Sequence, residues 1–221
     1  MKKAVLFDMD GVLYDSMPGH VRAWRDVMAE AGINSDLEDF YLLEGRTGSS
    51  TIDLMFNRQF GHGATDEEKK RIYARKTQRF QELKSYDRPM PGALETLEKV
   101  KNAGLMRVIV TGSGQRSLYD NLDAHFPGIF SRDLMVTAYD VKHGKPAPEP
   151  YLLGLKKANI TAEEAIVVEN APLGVEAAKA AGIFTIGVNT GPLAPNVLTD
   201  AGADVVFDTM TELAANIENF F

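Results

Sequence analysis

The chain has no cysteine. That absence removes disulfides, thiolate metal sites and thiol nucleophiles together. It also lacks a long apolar run: after Met1-Lys2-Lys3 the hydrophobic stretch is Ala4 to Phe7, and Asp8 interrupts it. So short a run makes neither a signal-peptide core nor a membrane span, and a cytoplasmic protein without a membrane partner is expected. Positive charge is scarce, with 24 Lys and Arg against 31 Asp and Glu and a formal net charge of −7. With no block of Lys and Arg, no nucleic-acid partner is expected, although a local basic pocket is compatible with this balance. There is no internal repeat and no low-complexity tract.

What is present is enough apolar residue, 44% of 221, to bury a real core in one large domain or a core with a small insert. Short continuous apolar runs, of the kind buried parallel strands show, occur at Ala4 to Phe7, Met106 to Val110, Leu134 to Val136, Ala165 to Val168, Phe184 to Val188 and Asp204 to Phe207. Helix-length segments separate them, at Gly92 to Ala103, Gln115 to His125, Glu149 to Ala158, Pro172 to Ala181 and Met210 to Phe220. Strand alternating with helix predicts an α/β fold, a parallel sheet covered on both faces.

Between about Met17 and Leu83 the alternation stops and only helical periodicity remains. Val21, Trp24, Met28 and Ala31 mark one helix, and Ile52, Met55, Phe56 and Phe60 a second. Thr65-Asp66-Glu67-Glu68 is a capping-box sequence opening a third, on which Tyr73, Lys76, Thr77 and Phe80 share a side. A catalytic core over residues 1–15 and 88–221, with a helical cap over 16–87, is the expected organisation. The second hinge falls at the turn-rich Arg88-Pro89-Met90-Pro91-Gly92.

In an open parallel sheet, ligands sit at the carboxyl ends of the strands. The first strand ends in Asp8-Met9-Asp10-Gly11, two carboxylates that repel unless a cation intervenes. A hard divalent cation such as Mg2+ prefers oxygen ligands, and a carboxylate beside it can attack a phosphoryl group. Taken alone, Asp-x-Asp equally fits two acids on a surface turn. The second strand stops at Thr111-Gly112-Ser113-Gly114, whose hydroxyls and N–H groups suit a phosphate or, more simply, cap a helix. Lys145 lies in the proline-rich loop Gly144 to Pro150, placed either to neutralise a transferring phosphoryl group or to stay solvated. Glu169-Asn170 adds two oxygen ligands at the same edge. Four successive strand ends each supply a part for phosphoryl transfer.

In order and spacing, Asp8-Met9-Asp10-Gly11, Thr111, Lys145-Pro146 and Glu169-Asn170 resemble the four motifs of the haloacid dehalogenase phosphatase superfamily. The small-residue run Val168 to Gly182 resembles its β-phosphoglucomutase-like subfamily. The resemblance spans essentially the whole chain and implies a Rossmann-like core with a helical cap. It implies Asp8 as nucleophile, Asp10 as general acid and then base, and Thr111 with the N–H groups of Gly112 and Ser113 as phosphoryl ligands. Lys145 would hold Asp8 and the phosphoryl group together. The implied Mg2+ ligands are Asp8, the Asp10 carbonyl and Asn170, with Glu169 a direct ligand or just behind. The implied substrate is a small phosphorylated molecule, and a monomer is expected.

Two departures bear on substrate. The fourth motif of the family usually ends in Asp, and Asn170 carries no charge. The cap turn of the sugar-phosphate mutases resembles Lys-Gly-x-x-Arg, whereas here it reads Glu44-Gly45-Arg46-Thr47-Gly48. An acid there repels a distal sugar phosphate unless it reaches the metal, which a compact substrate permits. This set is similar to a family inorganic pyrophosphatase, so a magnesium-dependent phosphohydrolase acting on pyrophosphate is expected, with Glu44 joining the metal on closure or else remaining a surface acid. The alternatives are a β-phosphoglucomutase-like mutase, a small sugar-phosphate phosphatase, or a catalytically silent binding protein on the same fold. Lys76 is the best cap cation by its helix face, if not solvated, and His20 touches the closed site or packs the hinge. His62, His125 and His143 show no metal-ligand spacing, and Trp24 is expected in the core.

Overall fold

The computed structural model describes residues 1–83, 88–114 and 118–221. Its centre is a six-stranded, wholly parallel sheet: β1 (Ala4–Phe7), β2 (Met106–Val110), β3 (Met135–Val136), β4 (Ala165–Glu169), β5 (Phe184–Val188) and β6 (Val205–Phe207). The spatial order is β3-β2-β1-β4-β5-β6, so the chain winds outward first to one side of β1 and then to the other. The strand order reverses between β1 and β4, and a crevice forms at their carboxyl ends.

Alternation along β1 assigns its side chains to two cores. Val5 and Phe7 pack towards α5 (Ala93–Asn102), α6 (Leu118–His125) and α10 (Met210–Asn216). Ala4 and Leu6 pack towards α7 (Glu149–Ala158) and α8 (Pro172–Ala180). All four residues are fully buried, which is why the run reads as continuously apolar. The last expected helix splits, α10 tightening into a 3-10 turn at Ile217–Phe220. The short α9 (Val197–Asp200) has no sequence counterpart in the expected set. The start of the expected Gln115 helix lies outside the described residues.

The helical unit contains α1 (Met17–Glu30), α2 (Leu37–Leu42), α3 (Gly48–Phe60) and α4 (Asp66–Glu82). Here four helices stand where periodicity marked three. Six residues give too little period to read, but Asp36 and Asp39 form a reciprocal capping box that starts α2. The capping box opening α4 is the expected one, with Thr65 N–H donating to Glu68 at 2.8 Å. Val21, Met28, Phe40, Ile52, Met55 and Ile72 belong to a core cluster separate from those of the sheet. The connecting segments pair with each other: Asp15 N–H donates to the Arg88 carbonyl and Met90 N–H to that of Leu13, while the Arg88 and Asp15 side chains form an ion pair. Among the described residues, no helix is long and apolar enough to cross a membrane.

Candidate active site

The acids of the sheet edge, Asp8, Asp10 and Glu169, owe their places to backbone at the ends of β1 and β4. Asp8 N–H still bonds the Val168 carbonyl at 3.0 Å, holding the loop against β4. The Met9 carbonyl then accepts from three N–H groups, those of Val12, Leu13 and Tyr14, and winds the loop tightly. Gly11 has φ +80°, and a Cβ there would overlap the Asn170 amide, so glycine is needed for both conformation and contact.

Lys145 joins the strands electrostatically. Its Nζ lies 2.5 Å from Asp8 Oδ1, 2.5 Å from Glu169 Oε1 and 3.1 Å from the Val110 carbonyl. Lysine and both acids are buried, with Glu169 at 0% exposure. Burial alone would lower the Lys145 pKa, but its two carboxylates outweigh that and raise it. Burial pushes Asp8 above the ordinary carboxylate range, and Glu169 adds to the push against the pull of Lys145. One cation serves too many acids.

Asp10 is held by the helical unit. Ser16 donates to its Oδ1 at 2.6 Å, and His20 Nε2 lies 3.1 Å from the same oxygen. Lys76 Nζ is 2.7 Å from His20 Nδ1. With Lys76 as an ammonium, Nδ1 accepts and the Nε2 proton faces Asp10. Burial pushes Asp10 up, but His20, Ser16 and Lys76 outweigh it and hold the carboxyl at about 2. Burial lowers Lys76 to about 8, although Asp10 pulls the other way. His20 stacks on Phe80 with centroids 3.9 Å apart, which fixes the ring.

The loop carrying Glu44 closes over the crevice by backbone contact. A Cβ at Gly112 would stand 2.6 Å from the Gly45 carbonyl oxygen, and one at Gly144 would stand 2.8 Å from Thr47 Cγ2. Glu44 Oε1 accepts from Asn170 Nδ2 at 2.9 Å. Glu44 is buried, and desolvation with the charges of Asp8, Glu169 and Asp10 raises its pKa well above normal despite the Asn170 bond. The cavity between the loop and the sheet edge is about 70 Å3 and partly open. Tyr73 walls it on one side, its ring lying so close to Gly48 that a Cβ there would overlap it.

The expected site residues therefore meet; Glu169 takes the second of its two expected places, just behind the site, while Ser113 and Trp24 are placed differently from expectation. Glu169 is turned away: besides Lys145, its carboxylate takes Tyr151 OH at 2.7 Å and the N–H groups of Asn170 and Ala171. Ser113 N–H, expected to face a phosphoryl group, donates to Thr111 Oγ1 at 3.0 Å. Trp24 is not wholly core, because it lines the cavity with Lys76 Nζ 5.2 Å from its ring centroid. The helical unit also brings Arg46 to the cavity beside Lys76. Ser16, Tyr73 and Tyr151 were not legible as site residues. Ser16 reads as the cap of α1, yet makes no side-chain cap bond and serves Asp10 instead. A tyrosine on the buried face of α7 was the only signal for Tyr151.

The donor set suits a hard cation: the buried Asp8 and Glu169 share one lysine, Glu44 is buried close by, and Asn170 Oδ1 is buried with no hydrogen-bond partner among the described residues. Among those residues no three His, Cys, Asp or Glu side chains already converge as a metal-binding group.

A family model described as haloacid dehalogenase-like hydrolase matches residues 2–182. The chain belongs to the haloacid dehalogenase-like hydrolases. It is 35% identical to a phosphorylated carbohydrates phosphatase of Thermotoga maritima, over 91% of this chain and 92% of that protein. It is 30% identical to a fructose-1-phosphate phosphatase of Escherichia coli, over 83% and 95%. Among solved structures, a Bacteroides vulgatus protein provisionally named a β-phosphoglucomutase superposes with a TM-score of 0.94 at 54% identity, covering 98% of this hydrolase and 88% of that chain.

Proposed function

We propose that this hydrolase is a magnesium-dependent phosphohydrolase working through an aspartyl phosphate on Asp8, with inorganic pyrophosphate as its preferred substrate. Asp8, the Asp10 carbonyl, Asn170 Oδ1 and Glu44 would hold Mg2+. When bound, the ion neutralises charge between Asp8 and the phosphoryl group. An Asp8 oxygen forms the new P–O bond as the bond to the leaving phosphate breaks. Lys145 favours the ionised form of Asp8 and holds it in line, and Thr111 with the Gly112 N–H holds the phosphoryl oxygens. Asp10, kept as a carboxylate by His20 and Ser16, then takes a proton from water. The water oxygen attacks phosphorus, and Asp8 is released with the second phosphate. The helical unit acts as a cap that excludes bulk water.

The observation that carries pyrophosphate over larger substrates is the meeting of Glu44 with Asn170 beside a cavity of about 70 Å3. Pockets that enclose drug-sized ligands run to roughly 300–1,000 Å3. A second reading, phosphatase or mutase action on a sugar phosphate, is favoured by the names of the relatives above, none of which is named for pyrophosphate. Arg46 and Lys76 in the cavity also suit a second phosphate group.

The deciding experiment compares phosphate release with Mg2+ from pyrophosphate, fructose 1-phosphate and a hexose 1-phosphate, beside a coupled assay for glucose 6-phosphate. Pyrophosphate is expected to lead in kcat/KM by at least about a hundredfold, roughly 2.7 kcal/mol of barrier. A sugar phosphate in first place overturns the pyrophosphate reading in favour of the second.

A further inference from the structure

Glu169 has no lone pair left to offer. Oε1 accepts from Lys145 Nζ at 2.5 Å and from Tyr151 OH at 2.7 Å, and Oε2 accepts from the N–H groups of Asn170 at 3.1 Å and Ala171 at 3.2 Å. A carboxylate offers about four acceptor sites, and all four are filled by protein donors. The group lies under the first turn of α8, in space that exists because residue 174 is glycine: a Cβ there would overlap the carboxylate. Tyr151 is itself fully buried, so its hydroxyl must find an acceptor inside the protein, and Glu169 is that acceptor. Meanwhile Asn170, the next residue along, leaves Oδ1 without a partner and gives Nδ2 to Glu44.

We propose that Tyr151 is a positioning residue that withholds Glu169 from the metal site, so that the second anionic ligand comes from Glu44 of the helical unit instead. The inference rests on the magnesium reading above. Its consequence is a metal affinity tied to closure. With the helical unit swung away, the core offers one carboxylate, Asp8, together with neutral oxygens. Closure brings the second charge. Phenylalanine at 151 would keep the ring and remove the donor, freeing one site on Oε1. Alanine at 174 would act from the other side by filling the cradle and displacing the carboxylate, in a helix interior where alanine is well tolerated.

The test is direct titration of Mg2+ into the full-length, substrate-free protein by calorimetry, with Mn2+ electron paramagnetic resonance as a second readout. It uses wild type, Glu44→Ala, Tyr151→Phe and the double variant. Glu44→Ala is expected to weaken binding by about tenfold or more in the wild-type background and by less than about threefold in the Tyr151→Phe background. Gly174→Ala is expected to reduce the Glu44→Ala loss in the same way, and decides the matter if Tyr151→Phe fails to fold by circular dichroism. Equal Glu44→Ala losses in every background overturn the role of Tyr151. A wild-type chain that binds no Mg2+ is a different result, and overturns the metal reading itself.

Discussion

Glu44 and Asn170 meet across 126 residues of sequence, with Asn170 Nδ2 2.9 Å from Glu44 Oε1. The bond joins the loop before α3 to the end of β4, and so joins the helical unit to the sheet at the point where the acids gather. Asparagine is suited to this place because it offers a donor to Glu44 and keeps an oxygen for a cation, which aspartate cannot do while ionised.

Replacing Glu44 by alanine is therefore expected to lower kcat/KM for pyrophosphate by about a hundredfold, while hydrolysis of a simple aryl phosphate falls by less than about fivefold. Steady-state kinetics on both substrates measure the split. Equal losses on the two would mean that Glu44 serves every substrate alike and does not select pyrophosphate.

Tyr73 separates the inner cavity from an outer cleft of about 510 Å3 that Lys69, Ala74 and Tyr139 help to line. Tyr73→Ala would connect the two spaces. The ratio of kcat/KM for a hexose phosphate to that for pyrophosphate is expected to rise by at least about tenfold, the scale on which pocket size discriminates. An unchanged ratio would place the substrate limit elsewhere.

Lys145 is 2% exposed and stands between Asp8 and Glu169. Lys145→Met removes the cation and leaves two buried carboxylates, at a cost of about 3–5 kcal/mol. Urea denaturation in the presence of a chelator should show this as a lower midpoint with an unchanged slope. Wild-type stability in that variant would show that water already reaches the acids.

Lys76 supplies a pH signature. Burial lowers its pKa from 10.5 to about 8 in the folded chain. Between these values the unfolded chain binds more protons at this position than the folded one, so the contribution of Lys76 to stability rises as pH increases from 8 to 10.5. Lys76→Met abolishes that rise. The stability difference between wild type and variant, measured by denaturation at pH 7.5 and at pH 10, should shift in favour of wild type at the higher pH. A difference that does not move with pH would mean that Lys76 is hydrated in the folded protein.

Most of the fold, and the acids at the ends of β1 and β4, are legible in the sequence. Ala4–Phe7, Met106–Val110 and Phe184–Val188 are strands with the expected bounds because a strand buried on both faces must be apolar at every position. Asp8, Thr111 and Glu169 could be located because each ends or follows such a run, and Lys145 because it is fixed in the proline-rich loop after the third one; strand ends of a parallel sheet open on one edge. The short α2 was illegible because six residues carry too little period, and its start depends on two aspartates bonding backbone.

The sequence by itself thus determined the strands, the longer helices and the chemical groups that reach the common edge, since these follow from local periodicity and strand direction. Only the tertiary structure decided how those groups are shared. Whether Glu169 faces a metal or Tyr151, whether Ser16 caps a helix or holds Asp10, and whether Glu44 stays in water or meets Asn170 depend on partners far away in the chain. A buried polar group takes whichever partner packing brings within about 3 Å, and no local pattern encodes that choice.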